Sequence, residues 1–149
     1  MERTTTLALH EAFKVAIRGI TPTIEAMRDH GWKYVDSPRK NGRAVLPPAL
    51  RNFDLIWRDA DPDFNWVAGR GVSYSTRLAV GTSYPGLPAW QRDHMVNADG
   101  VDLWRALRRL INTESGLTNV TVVGRQNEVE SVASYYIEHV FTVSYHQFV

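Results

Sequence analysis

The sequence contains no cysteine. No disulfide framework, thiol nucleophile, thiolate zinc site or iron–sulfur cluster can be built from it. It also lacks the run of about 18 apolar residues that a membrane-crossing helix needs. Its first residues, MERTTTLALHEAFK, carry no apolar core of a secretion signal. These absences predict a soluble chain that is not exported by that route. An excess of one charge is missing too: 17 Lys and Arg face 16 Asp and Glu, for a net charge of +1. That is not the basic surplus of an autonomous nucleic-acid binder. Lysine itself is scarce, with Lys14, Lys33 and Lys40 against fourteen arginines. Arginine is favoured at interfaces for its planar fork of donors, and also by GC-rich coding, so composition leaves both origins open.

What is present suffices for one folded unit. The chain has 149 residues, 44% of them hydrophobic, with five Trp, six Tyr and five Phe, which fits a single domain with an ordinary core. Thr4, Thr5 and Thr6 offer an N-cap to a first helix whose apolar face is Leu9, Phe13, Ala16, Ile17 and Ile20. Thr21-Pro22 breaks it and opens a short segment with Ile24 and Met27 inward and Gly31 as its stop. Trp32 to Val35 begins a strand. Residues 36–50, rich in Pro, Gly and basic side chains, read as an extended, exposed loop.

Phe53, Leu55 and Trp57 alternate with Asp54 and Arg58 as a short strand, and the DADPD segment after it reads as a polar turn. Val72, Tyr74, Thr76, Leu78, Val80 and Tyr84 then share one face of a clear strand. Tyr84-Pro85-Gly86-Leu87-Pro88 ends it, and about a dozen loop residues are expected before a helix capped by Asn97 or Asp99. That helix turns Leu103, Trp104, Leu107, Leu110 and Ile111 inward, with Asp102, Arg105, Arg108 and Arg109 elsewhere. Two strands close the chain, one around Val120 and Val122 and one carrying Tyr135, Ile137, Phe141, Val143 and Tyr145, with GRQNEVES as the hairpin tip between them. Grouped strands with few intervening helices predict an α+β domain: a mostly antiparallel sheet packed against two main helices.

Tests for chemistry return little. His139 and His146 fall on opposite faces of one strand, so they cannot chelate together. His94 has no second histidine at four-residue spacing. Asp59, Asp61 and Asp63 resemble a calcium loop only superficially, because Phe64 stands where the required glycine should be and Arg70 where the glutamate should be. Ser73, Ser75 and Ser83 have no G-x-S-x-G context, and Gly69-Arg70-Gly71 is too short for a phosphate loop. No catalytic, cofactor-binding or metal residue is predicted.

The order of several short motifs resembles the tail-terminator and tail-completion proteins of tailed bacteriophages. They are an N-terminal amphipathic helix (LALHEAFKVAIRGI), a strand closing on Tyr-Pro (TRLAVGTSYP), an acidic approach to a helix (DGVDLWRALRRL), a Val-rich strand (TNVTVVG) and a long final strand (EHVFTVSYH). The resemblance implies an α+β subunit of the virion neck, assembled in the host cytoplasm into a hexameric ring at the head-proximal end of the tail. Such a ring stops the tail tube, meets the major tail tube protein on one side and the head-completion or connector protein on the other, and lets DNA pass without sequence-specific binding. The 36–50 loop departs from the compact members of that family.

Loops rich in arginine and aromatics suit contacts between subunits or with partners, which makes Arg39, Lys40, Arg43, Phe64, Trp66, Arg70, Arg105 and Arg109 the candidate interface residues. Trp66 as ordinary core is an equal alternative. Two other classes compete: a small-ligand-binding or hydrolytic α+β enzyme using Asp93, His94 and Tyr84, and a nucleic-acid module using Arg105, Arg108 and Arg109.

Overall fold

Strict alternation along residues 71–85 and 134–147 builds two long strands that pair side by side and set the frame for the rest. The computed structural model describes residues 6–24, 31–58, 65–67, 71–111 and 116–147. In chain order its elements are α1 (Thr6–Arg18), β1 (Lys33–Tyr34), β2 (Arg39–Lys40), β3 (Arg43–Ala44), β4 (Asn52–Arg58), β5 (Asn65–Val67), β6 (Gly71–Pro85), α2 (Ala89–Arg108), β7 (Leu117–Glu130) and β8 (Ser134–Gln147). The main sheet runs β1-β4-β6-β8-β7, with β5 also pairing β6, while β2 and β3 form a separate hairpin. Among the described strands, only the β1–β4 pairing is parallel. This is the α+β fold with a mostly antiparallel sheet and two helices that the sequence predicts.

Register assigns the two faces of the sheet. Phe53 and Leu55 of β4, Leu78 and Val80 of β6, and Phe141 and Val143 of β8 all point to one side. There they meet Leu9, Phe13 and Ile17 of α1 and Leu103 and Leu107 of α2 in the principal core. Each of those side chains contributes about 1.5–3 kcal/mol through burial. The opposite face is also covered. Ile56, Ala79 and Val140 pack there with Ala44 of the hairpin, and Leu46 and Tyr136 close over them.

Several sequence expectations are corrected. Residues 36–50 are no free arm: Asn41 and Gly42, both at positive φ (54° and 75°), make the tight turn of the β2–β3 hairpin. Ser37, Ala44 and Leu50 are buried. The dozen-residue loop after Pro88 does not exist, because α2 begins at Ala89 and Asn97 and Asp99 lie inside it. Pro88 precedes the first turn, where its missing N–H costs nothing. Asp102, placed off the apolar face by the sequence, is buried and accepts hydrogen bonds from Thr23 N (2.9 Å) and Oγ1 (2.7 Å). GRQNEVES is not a hairpin tip, since β7 continues through Glu130 and the chain reverses at residues 131–133. Thr4, Thr5, Met27 and the DADPD segment lie outside the described residues.

Candidate functional site

Three places that bury ionisable side chains constrain what the protein can do. On the helix side, Arg51 sits at positive φ (56°), a conformation that costs a non-glycine residue about 1–2 kcal/mol. Its backbone is held there: Arg51 N donates to Ser83 O (2.9 Å), and its carbonyl accepts from Lys33 N (3.0 Å). The fully buried guanidinium donates from Nε to both Asp99 oxygens (3.1 and 2.9 Å) and from a terminal nitrogen to Ile24 O. Tyr84 Oη donates to the same carboxylate at 2.7 Å. Burial raises the Asp99 carboxyl above its ordinary range, while Arg51 and Tyr84 pull the other way. Burial, followed by the Asp99 charge, pushes the Tyr84 hydroxyl well up.

On the hairpin side, Asp54 of β4 and Glu138 of β8 flank Gly81 of β6 in one row. Asp54 accepts from Ser37 N and Oγ (3.1 and 2.8 Å), Arg39 (2.7 Å) and Leu55 N (2.8 Å). Glu138 accepts from both arms of the Arg58 guanidinium, from Tyr136 Oη (2.6 Å) and from Asn127 Nδ2 (2.7 Å). Desolvation opposes both charges, but these donors outweigh it and hold both carboxyls below their ordinary values. Gly81 leaves room for the Tyr136 ring, because a Cβ there would lie 2.6 Å from Tyr136 Oη. Both carboxylates are saturated with donors, and they staple the β2–β3 hairpin to the sheet.

The third feature is a groove between α2 and β7. It encloses about 240 Å³ between Val101 and Trp104 of α2 and Val122, Gly124 and Arg125 of β7, with His139 of β8 in its floor. His139 is 3% exposed, and its Nε2 has no hydrogen-bond partner among the described residues. Desolvation, with a smaller contribution from Arg125, lowers the imidazole to about 4, so it is neutral at pH 7. Gly100 packs over it: a Cβ there would be 3.2 Å from His139 Nδ1, which accounts for a glycine in mid-helix. Beside the groove, β7 pairs only with β8 among the described strands, and side chains 125–130 are all exposed. Three register shifts interrupt its ladder with β8.

The eight candidate interface residues do not converge. Arg39 is tied to Asp54, while Lys40 and Arg43 border a cavity of about 280 Å³ on the hairpin side with Val45, Val129 and Tyr136. Arg105 in the last turn of α2 and Arg109, the residue that caps it, lie beside Thr21, Thr23 and Asp102. Trp66 is within β5, paired with Val72, and its side chain lies outside the described residues, as do Phe64 and Arg70. Nor do Tyr84, Asp93 and His94 form one site: Tyr84 is buried against Asp99, whereas Asp93 and His94 are exposed on α2. The sequence reading missed Trp90, Arg125 and Val132, which are exposed. A tryptophan two residues after Pro88 and a lone valine in ESVAS were the available signals.

No protein-family model matches the chain, and no curated protein matches it with significance.

Proposed function

We propose that this chain is a structural virion protein of the tail-terminator kind, acting by assembly and not by catalysis. Its copies form a ring of six that caps the tail tube, docks on the tube protein and on the head or connector protein, and lets DNA slide through without sequence-specific contact. The observation that carries the assembly reading is the outer edge of β7, fourteen residues long and without a strand partner among the described residues, with an apolar groove beside it. A long unpaired edge and an adjoining apolar slot are surfaces that oligomers cover. The motif order of the sequence supports a place at the tail end of the virion. The carboxylates with perturbed protonation are all bound to donors within the fold, which fits a scaffold. A net charge of +1 suits a ring around a sliding duplex, since strong basic attraction would hold it.

Native mass spectrometry and negative-stain imaging test the proposal, with the protein alone over a concentration series and then with tail-tube protein or connector protein added. Six-membered rings are expected. A chain that stays monomeric and binds neither tube nor connector protein under these conditions would sink the reading.

A further inference from the structure

We propose that neighbouring copies join by seating Trp90 and the β7–β8 hairpin tip of one copy in the α2–β7 groove of the next. The inference rests on the ring reading and names its contact. Trp90 is 75% exposed, and its side chain makes no hydrogen bond or ring contact among the described residues. Val132 at the tip is fully exposed, at 101%. Both lie at one end of the sheet, where Pro85 pairs with Ser134, Gly86 N donates to Ala133 O (3.0 Å) and Arg92 bonds Glu130 (2.6 Å). A tryptophan is the side chain most often found as an interface anchor.

The groove supplies the counterpart. Val101 and Val122 on its walls are 46% and 55% exposed, so an apolar surface faces solvent on both sides of the slot. Trp90 does not line the groove of its own chain: the groove begins at Val96, six residues further along the same helix, about 9 Å at 1.5 Å per residue.

Charge complementarity selects a second copy as the occupant. The tip end carries the exposed acids Asp93, Glu128 and Glu130 around Arg92, which pairs with Asp93 (3.5 Å) and Glu130 (2.6 Å), so three acids against one arginine leave that end net negative. The groove is bordered by Arg125, and by Arg108, whose guanidinium lies 4.9 Å from the Trp104 ring centre. An end that docks on a side is a heterologous contact, the type that closes into a ring when its rotation permits.

The test uses two full-length variants, W90A/V132D without the knob and V101R with the groove blocked, each checked for a wild-type thermal melt. Native mass spectrometry over a concentration series should show rings for the wild type and monomers for each variant alone. Mixed in equal amounts, the variants should give one-to-one heterodimers and nothing larger, because each such pair has one intact contact. Rings formed by W90A/V132D at wild-type concentrations would overturn the contact and leave the ring reading standing. A mixture without heterodimers would also overturn it. Wild-type self-association that needs Trp90 but yields only open chains supports the contact and sinks the ring. A wild type that is monomeric at every concentration, alone and with tube protein present, overturns the contact, and the ring reading falls with it if neither tube nor connector protein is bound.

Discussion

Asp99 on the helix side of the sheet, and Asp54 and Glu138 on the hairpin side, are buried carboxylates with arginine partners, yet their protonation shifts in opposite directions. The difference lies in the surroundings. Arg51 and Asp99 are both sealed at 0% side-chain exposure, between α2 and the sheet, so desolvation dominates. Arg39 and Arg58 reach their acids from the rim, at 39% and 29% exposure, and the acids collect further donors from Ser37, Tyr136 and Asn127. One side of the sheet therefore uses a charge pair that must be complete to be tolerated. The other uses carboxylates as staples for a small hairpin.

The largest expected effect follows from removing one member of the sealed pair. Arg51→Met should lower stability by about 3–5 kcal/mol, because it leaves Asp99 charged and unpaired in the interior. Urea denaturation measures this, and R51M/D99L should recover much of the loss; a single variant as stable as the wild type would erase the contrast between the two sides.

The next effect concerns His139, another sealed titratable group on the helix side. Its folded value of about 4 lies below the ordinary 6.5. Between those pH values the unfolded chain takes up a proton that the fold refuses, so stability falls as pH drops from about 6.5 to 4. The full shift corresponds to about 3 kcal/mol. His139→Leu should flatten that part of the pH–stability curve. An unchanged slope would show that the imidazole is not the group responsible.

The smallest effect is expected on the hairpin side. Arg39→Ala should cost under about 1 kcal/mol globally, since a partly exposed pair is screened by solvent. It should raise hydrogen exchange selectively at Ala44 and Val45. Asp54 and Glu138 have lowered folded values, so their contribution is complete above the ordinary values of 3.8 and 4.5 and is lost as pH falls through the lower folded ones. Hairpin exchange should therefore accelerate in strong acid, and E138Q should remove part of that acceleration. Exchange that is uniform over the sheet would show that the hairpin is not a separate unit.

Legibility of the fold followed how evenly each element divides its faces. In β4, β6 and α1 the apolar positions recur at their period, because one side meets the principal core. The N-terminal part of α2 escaped notice because its buried side carries Arg92 and Asp99 beside Met95 and Val96. A charged buried face dilutes the apolar period on which helix reading depends. The far half of β7 escaped for the opposite reason. Residues 125–130 are exposed, so pairing with β8 holds them in the sheet while their side chains alternate with nothing. The Asn41-Gly42 turn of the hairpin was visible in KNGR, but its flanking strands are two residues each, too short to show a pattern.

The candidate site was less legible than the fold. Arginine loops pointed to interfaces in general, but Arg39 turned out to be spent on Asp54, and the groove of Val101, Val122 and His139 joins three elements that the sequence keeps apart.

Length, the missing cysteines, the balanced charge and the periodicities of the main strands determined, by sequence alone, an α+β unit without thiol chemistry. Those properties are local or additive along the chain, so they survive without knowledge of the fold. Tertiary structure alone decided which charges are partners, as with Arg51 and Asp99 at 48 residues' separation, and which apolar side chains stay uncovered, as with Trp90 and Val132. Pairing and exposure depend on distances in space, and those exist only once the sheet has brought its strands together.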